Sequence, residues 1–250
     1  MSAQTLFLAW QDKWESSRRW YPVGRLDTET SKPLYRYRYT RGALRAQEEV
    51  GFPLVLDFPE LEGDYKSRAL FPMFANRIIA RGRPDRLTYL EHLDLTDSAD
   101  PIEILAANGG WRATDSYEVF PKLRKRADGS FRYRFFLHGW RYVSEAAQER
   151  LLSLQADEEL YLSIELTNPT GGLTLQVQTV DYHMIGWAPR YLVLDLTTAL
   201  KTSSRYKARV VRVNPQPAPM KQRVLIEMSG NLGTHKPMSS KDFIPLVRGS

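Results

Sequence analysis

The sequence predicts an α+β fold in two domains, and three observations carry that expectation. Short alternations of apolar and polar residues recur along the chain, as in LYRYRYT, ELYLSIELT and RYKARVVRV, with only a few helical periods among them. A cluster of breaker and basic residues, EVFPKLRKRADGSF, falls between two such sets and marks a boundary near residues 121 to 130. The third observation is size, because 250 residues of which 42% are hydrophobic can build one large core or two ordinary ones. The expected domains are residues 1–122, a mixed sheet with helices, and residues 131–230, a small closed or half-closed β-barrel with two helices. From Gly230 the stretch GNLGTHKPMSSKDFIPLVRGS lacks periodicity, so residues 231–250 are expected to be a loosely held tail.

Each element has its own reason. TLFLAW, YPVGRL and LYRYRYT read as strands, and in the last the alternation sends Tyr35, Tyr37 and Tyr39 to one face and Arg36 and Arg38 to the other. A nucleic-acid platform would mix both kinds on one surface, so an amphipathic strand is the expectation. GALRAQEEVGF reads as a helix ended by Gly51, FPLVLDFPEL is apolar and punctuated by proline, and ALFPMFANRIIARGRPDRLTYLEHLDL suggests helices interrupted at Pro84. PIEILAANGGWRATD adds a short helix closed by Asn-Gly-Gly. Beyond the boundary, FRYRFFLHGW opens with a strand. SEAAQERLLSL follows as a helix with Ser144 as N-cap and Ala147, Leu151 and Leu154 on one face. ELYLSIELT, LTLQVQTV, YHMIGWAP, RYKARVVRV and QRVLIEMS are strand patterns, and YLVLDLTTALKT between them is a second helix.

Charge and composition exclude several classes. Lys and Arg number 35 against 29 Asp and Glu, a net +6 that permits attraction to phosphate without requiring it. Residues 1–126 hold 20 basic against 18 acidic side chains and residues 127–250 hold 15 against 11, so the second half is the more basic. The absence of cysteine excludes disulfides and thiolate metal sites. No apolar run reaches the roughly 18 residues of a membrane span, and MSAQTLFLAWQDKW lacks the basic start and long apolar core of a signal peptide. A cytoplasmic protein without a membrane partner is expected. The four histidines, His92, His138, His183 and His235, show no metal-ligand spacing, and neither a GxSxG elbow nor a GxxxxGK phosphate loop occurs. The expectation is a protein with no catalytic residues, no metal and no cofactor. GNLG at Gly230 to Gly233 mimics the GxxG loop of KH domains but lacks the flanking helices.

In residues 6–95 the order VGRL, LYRYRY, RGALRA, FPLVLDFP, Tyr65 and LFPMFANRI resembles the amino-terminal subdomain of HipA-type toxin kinases. No kinase catalytic-loop or metal-binding signature follows, so the resemblance implies a docking subdomain and no kinase activity. In residues 131–230, HGW, LYLSIELTNP, LTLQV and IGWAPRYLVLDL together resemble a HIRAN domain. Phe136 and Gly139 match its aromatic strand and the glycine that ends it, Asn168 and Pro169 its Asn-Pro, and Ile185, Gly186, Pro189 and Arg190 its second motif. The resemblance implies DNA binding, in one member at the 3′ end of a single strand. Thr170 and Gly171 stand where that family continues with an aromatic residue and Asp, so recognition of a free 3′ hydroxyl is not implied.

Single strands are held by aromatic faces on which bases stack and by cations along the phosphates. Trp140, Tyr142 and Trp187 with Arg141 and Arg190 supply both, and His138, Phe136 and Asn168 lie beside them in sequence. Trp140 and Trp187 fit the core of a barrel end equally well. Arg190 opens a helix, where the dipole disfavours a cation, which favours a functional role. Arg205 and Lys207, alternating with Arg209, form a basic strand face that tracks a backbone or merely protects an edge strand. KLRKR, from Lys122 to Arg126, either contacts phosphates or is solvated. Two functions follow: a DNA-binding protein whose first domain docks a partner, or a protein-interaction or antitoxin-type module that the second domain supports.

Overall fold

The computed structural model describes residues 4–13, 18–29, 34–169, 172–202 and 206–247. Contacts divide the chain into two compact units, one drawn from Met1–Arg86, Ser98–Lys122 and Met238–Ser250 and the other from Leu87–Asp97 and Leu123–Pro237. Each unit carries one antiparallel sheet with a few short helices, which is the α+β class.

In the first unit β1 (Gln4–Gln11), β2 (Trp20–Glu29), β3 (Leu34–Tyr39), β4 (Asp64–Ser67) and β5 (Tyr117–Pro121) lie in the order β4-β3-β2-β1-β5. The alternation of LYRYRY works as written: Tyr37 and Tyr39 are fully buried, while Arg36 pairs with Asp64 at 2.6 Å and Arg38 with Asp27 at 2.7 Å. The Tyr39 hydroxyl donates to the Phe58 carbonyl and accepts from the Val55 N–H, both at 2.8 Å. Those two bonds fasten the proline-punctuated segment over the sheet, where Phe58 stacks on Tyr37 with centroids 3.7 Å apart. Along the chain come α1 (Arg41–Val50), α2 (Pro72–Ala75), α3 (Arg86–His92) and α4 (Pro101–Asn108), of which α3 beyond Arg86 belongs to the second unit. α1 ends on Gly51, which sits in the left-handed region as its position in the sequence suggests. β4 and β5 are absent from the sequence reading, because DYKS is short and polar and YEVFP runs into the breaker cluster.

In the second unit β6 (Ser130–Phe136), α5 (Glu145–Leu152), β7 (Glu159–Asn168), β8 (Gly172–Thr179), β9 (Met184–Trp187), α6 (Val193–Thr202), β10 (Lys207–Val213) and β11 (Val224–Asn231) follow one another. The sheet order is β6-β11-β10-β7-β8-β9. Phe131, Tyr133 and Phe135 of β6 point into the core. Ser144 caps α5 by accepting from the Ala147 N–H, and Ala147, Leu151 and Leu154 are buried as one face. Burial opposes the charge of Glu227 on β11, yet hydrogen bonds from Arg134 and Arg209 hold its carboxyl below the ordinary range. Of the closed or half-closed barrel expected, the closed form is not formed. Among the described residues the ladder stays open at β6 and β9, and an isolated bridge between His138 and Trp187 links those ends.

Two expectations about boundaries are corrected. Residues 121–130 are not an open connection: β5 ends there, the Lys122 N–H donates to the Thr5 carbonyl at 2.9 Å, and Leu123 is buried. Lys125 bridges to Phe131 and its ammonium donates to the Gly233 carbonyl at 2.8 Å. Apolar residues interleaved with the basic ones supply the burial that charge alone conceals. Nor are the described residues of the tail, 231–247, loose. Leu232 and Met238 are buried, the Arg41 N–H donates to Ile244, the Leu246 N–H donates to Tyr39, and Phe243 meets Phe7 edge-on at 4.8 Å. Isolated bridges of this kind leave no periodic trace in a sequence.

The chain enters or leaves a unit at residues 86–87, 97–98, 122–123 and 237–238. A single cut in the turn at Asp128–Gly129 therefore leaves parts of both units on each fragment. The two fragments are expected to co-elute on native size-exclusion chromatography and to separate only in denaturant. Separate elution of two folded fragments without denaturant would contradict the interleaving.

Candidate nucleic-acid interface

The exit of β9 explains both glycines of the motifs HGW and IGW. The His138 N–H donates to the Trp187 carbonyl and the Trp187 N–H to the His138 carbonyl, each at 2.9 Å. A Cβ on Gly186 would stand 2.6 Å from the His138 oxygen, so the residue before Trp187 has to be glycine for the strands to meet. Gly139 has φ of +68°, and a Cβ there would stand 2.5 Å from Cε3 of Trp187. The indole ring thus lies directly on the Gly139 backbone. Pro189 then precedes a 3-10 turn, Arg190–Leu192, that leads into α6.

Trp187 is half-buried and its Nε1–H donates to Glu165 at 2.8 Å. The same carboxylate accepts from Asn168 Nδ2 at 3.0 Å and Thr174 Oγ1 at 2.7 Å. Burial opposes ionisation of Glu165, but the donors Thr174, Trp187 and Asn168 outweigh it and hold the carboxyl below its ordinary value. Arg190 is half-buried; burial lowers its guanidinium from the usual range and the field of Glu165 works against that. Glu165 is the residue that sequence reading misses. Its only signal was a position three residues before Asn168, and its partners on β8 and β9 come within reach through strand register, Glu165 lying opposite Thr174.

Beyond Gly139 the chain makes a 3-10 turn, Trp140–Tyr142. Trp140 donates its Nε1–H to the Met220 carbonyl at 2.9 Å and lies under the Arg223 guanidinium, 5.7 Å from the ring centroid. Arg141 is exposed, reaching Met220 Sδ at 3.6 Å and the Tyr142 ring at 5.7 Å. Tyr142 is 70% exposed, which makes it the most open ring of the three aromatic candidates. The backbone pair His138–Trp187 therefore sets the Trp140–Tyr142 turn beside Trp187, whose partner Glu165 also holds Asn168 and acts on Arg190.

The other candidates lie apart. Phe136 is half-buried as the last residue of β6, in register with Leu225. Lys207 is exposed at the start of β10, three ladder positions from β9, and Arg209 beside it is engaged by Asp157 and Glu227. Arg205, Thr170 and Gly171 lie outside the described residues. Among the described residues no three His, Asp or Glu side chains gather as metal ligands, and no helix is long and apolar enough to cross a membrane.

No family model and no curated protein matches this chain. Among solved structures it is similar to a protein from Lactobacillus plantarum, with 19% identity over 41% of this chain and 100% of that one and a TM-score of 0.33. It is also similar to the HIRAN domain of human HLTF, with 18% identity over 44% of this chain and 79% of that domain and a TM-score of 0.30.

Gly139→Ala is expected to push Trp187 off its seat and to cost about 1–3 kcal/mol of stability, since both the positive φ and the ring contact turn unfavourable. Denaturant unfolding measures the cost, and an unchanged midpoint would refute the seat. Protonation of Glu165 supplies a second check. Because its folded-state value is depressed, its stabilisation is complete above the ordinary glutamate value and is lost as pH falls through the folded one. The indole N–H resonance of Trp187 should titrate with a midpoint below that of a free glutamate, and in Trp187→Phe the Glu165 midpoint should rise.

Proposed function

We propose that this protein binds DNA without catalysing a reaction on it, holding a single-stranded or distorted segment across the rim made by Tyr142, Trp140, Arg141, Trp187 and Arg190. The first unit, on the strength of its HipA-like order of motifs, docks a protein partner. The observation that carries the reading is the His138–Trp187 backbone pair, which sets two aromatic-and-arginine stretches from distant parts of the sequence side by side. Stacking faces next to cations are what a flexible strand requires, because every base has a π-face and every nucleotide a phosphate. Roles divide unevenly on this rim. Trp187 is anchored by Glu165 and Gly139 and serves as its floor, whereas Tyr142 and Arg141 are the side chains open to a ligand.

Fluorescence anisotropy of the full chain with a labelled oligothymidine tests the proposal. Tyr142→Ala is expected to lose about 1–3 kcal/mol of binding through stacking. Arg141→Ala should weaken binding and reduce the slope of log affinity against log salt by about 0.7. Micromolar or weaker binding at physiological salt is expected, as for a basic surface without base readout. An oligonucleotide affinity that neither variant alters would remove the rim from consideration.

A further inference from the structure

Arg223 stands immediately before β11 and is only 6% exposed. Its Nη1 donates to the Asn214 carbonyl at 2.6 Å, its Nε is buried with no acceptor, and its guanidinium faces the Trp140 ring. Among the described residues no carboxylate pairs with it. Arg38 and Arg77, buried to a similar degree at 7% each, hold Asp27 and Asp115 respectively. A desolvated cation met only by a carbonyl and an indole face lacks the counter-charge that such groups ordinarily carry. Arg141 lies on the same feature from the exposed side, since its guanidinium touches Met220, the residue whose carbonyl receives the Trp140 indole. Two guanidinium groups without acid partners among the described residues thus lie near one tryptophan, Arg223 on its ring and Arg141 on the methionine that receives its indole N–H.

We infer that Arg223 and Arg141 form a phosphate subsite beside Trp140 that takes one phosphodiester of the bound strand. The inference deepens the DNA-binding reading and rests on it. Guanidinium forks match the oxygens of a phosphate, and an anion in a poorly solvated place is attracted with little screening. Phosphate is the ligand because the adjoining ring of Tyr142 offers the neighbouring base its stacking face.

The test uses the full chain, labelled oligothymidine, and inorganic phosphate against chloride at matched ionic strength. Arg223→Gln is expected to weaken oligonucleotide binding about tenfold, the loss of one charge-assisted contact, and to lower the salt slope by about 0.7. Inorganic phosphate should raise the melting temperature of the native protein and leave that of Arg223→Gln unmoved. Arg223→Lys keeps the charge without the fork, so it should retain the slope while losing part of the affinity. It also decides the question if the glutamine variant does not fold, because an unchanged affinity there overturns the subsite. A folded Arg223→Gln with native affinity and slope, beside weakened Tyr142 and Arg141 variants, overturns the subsite and leaves the rim standing. No oligonucleotide binding by the native protein defeats the rim itself, and a phosphate-induced rise that vanishes in Arg223→Gln would then still support an anion site.

Discussion

Two backbone hydrogen bonds between His138 and Trp187, each 2.9 Å, fix the turn that follows Gly139 relative to the end of β9. They join His138, two residues beyond the end of β6, to the last residue of β9, the two strands at opposite ends of an open ladder. Without them the six strands would present two separate edges, and the Trp140–Tyr142 turn would have no fixed relation to Trp187. Two glycines make the approach possible. Gly186 admits the His138 carbonyl and Gly139 admits the Trp187 ring, and in both places a methyl group would stand well inside contact distance. Backbone pairing is directional and short-ranged, so it locates side chains more tightly than apolar packing alone.

A carboxylate at the centre of a cationic rim looks misplaced until its donors are counted. Glu165 accepts from Trp187, Asn168 and Thr174, and each of those donors lies on a different strand or at a different strand position. The acid therefore works as a joint that locks the ring, the Asn-Pro turn and the hairpin together. Its negative field also reaches Arg190, which makes that arginine partly structural, whereas Arg141 and Arg223 have no acid partner among the described residues. Arginines elsewhere in the same unit are engaged: Arg134 and Arg209 by Glu227, and Arg150 by Glu158 and Asp181.

The two units are interleaved along the chain, since residues 87–97 belong with the second and residues 238 onward with the first. Arg134 of β6 shows the consequence, pairing at once with Glu227 of β11 and with Asp94, which comes from a segment placed far earlier. A boundary drawn at a turn in the sequence captures the change of sheet but not the segments that cross back.

What the sequence by itself determined was local: the amphipathic strand LYRYRY, the Gly51 and Ser144 caps, the strands β6 to β11, and the two aromatic-and-arginine motifs with their glycines. Such features depend on side-chain period and backbone freedom, which neighbouring residues largely decide. Tertiary structure alone decided that the ladder stays open with the His138–Trp187 bridge across its ends, that Glu165 seats Trp187, and that Arg223 is buried against Trp140 with no acid partner among the described residues. Those outcomes depend on which strands pair and in what register. A shift of one residue would turn Glu165 to the opposite face, and the sequence carries no local term that distinguishes the two.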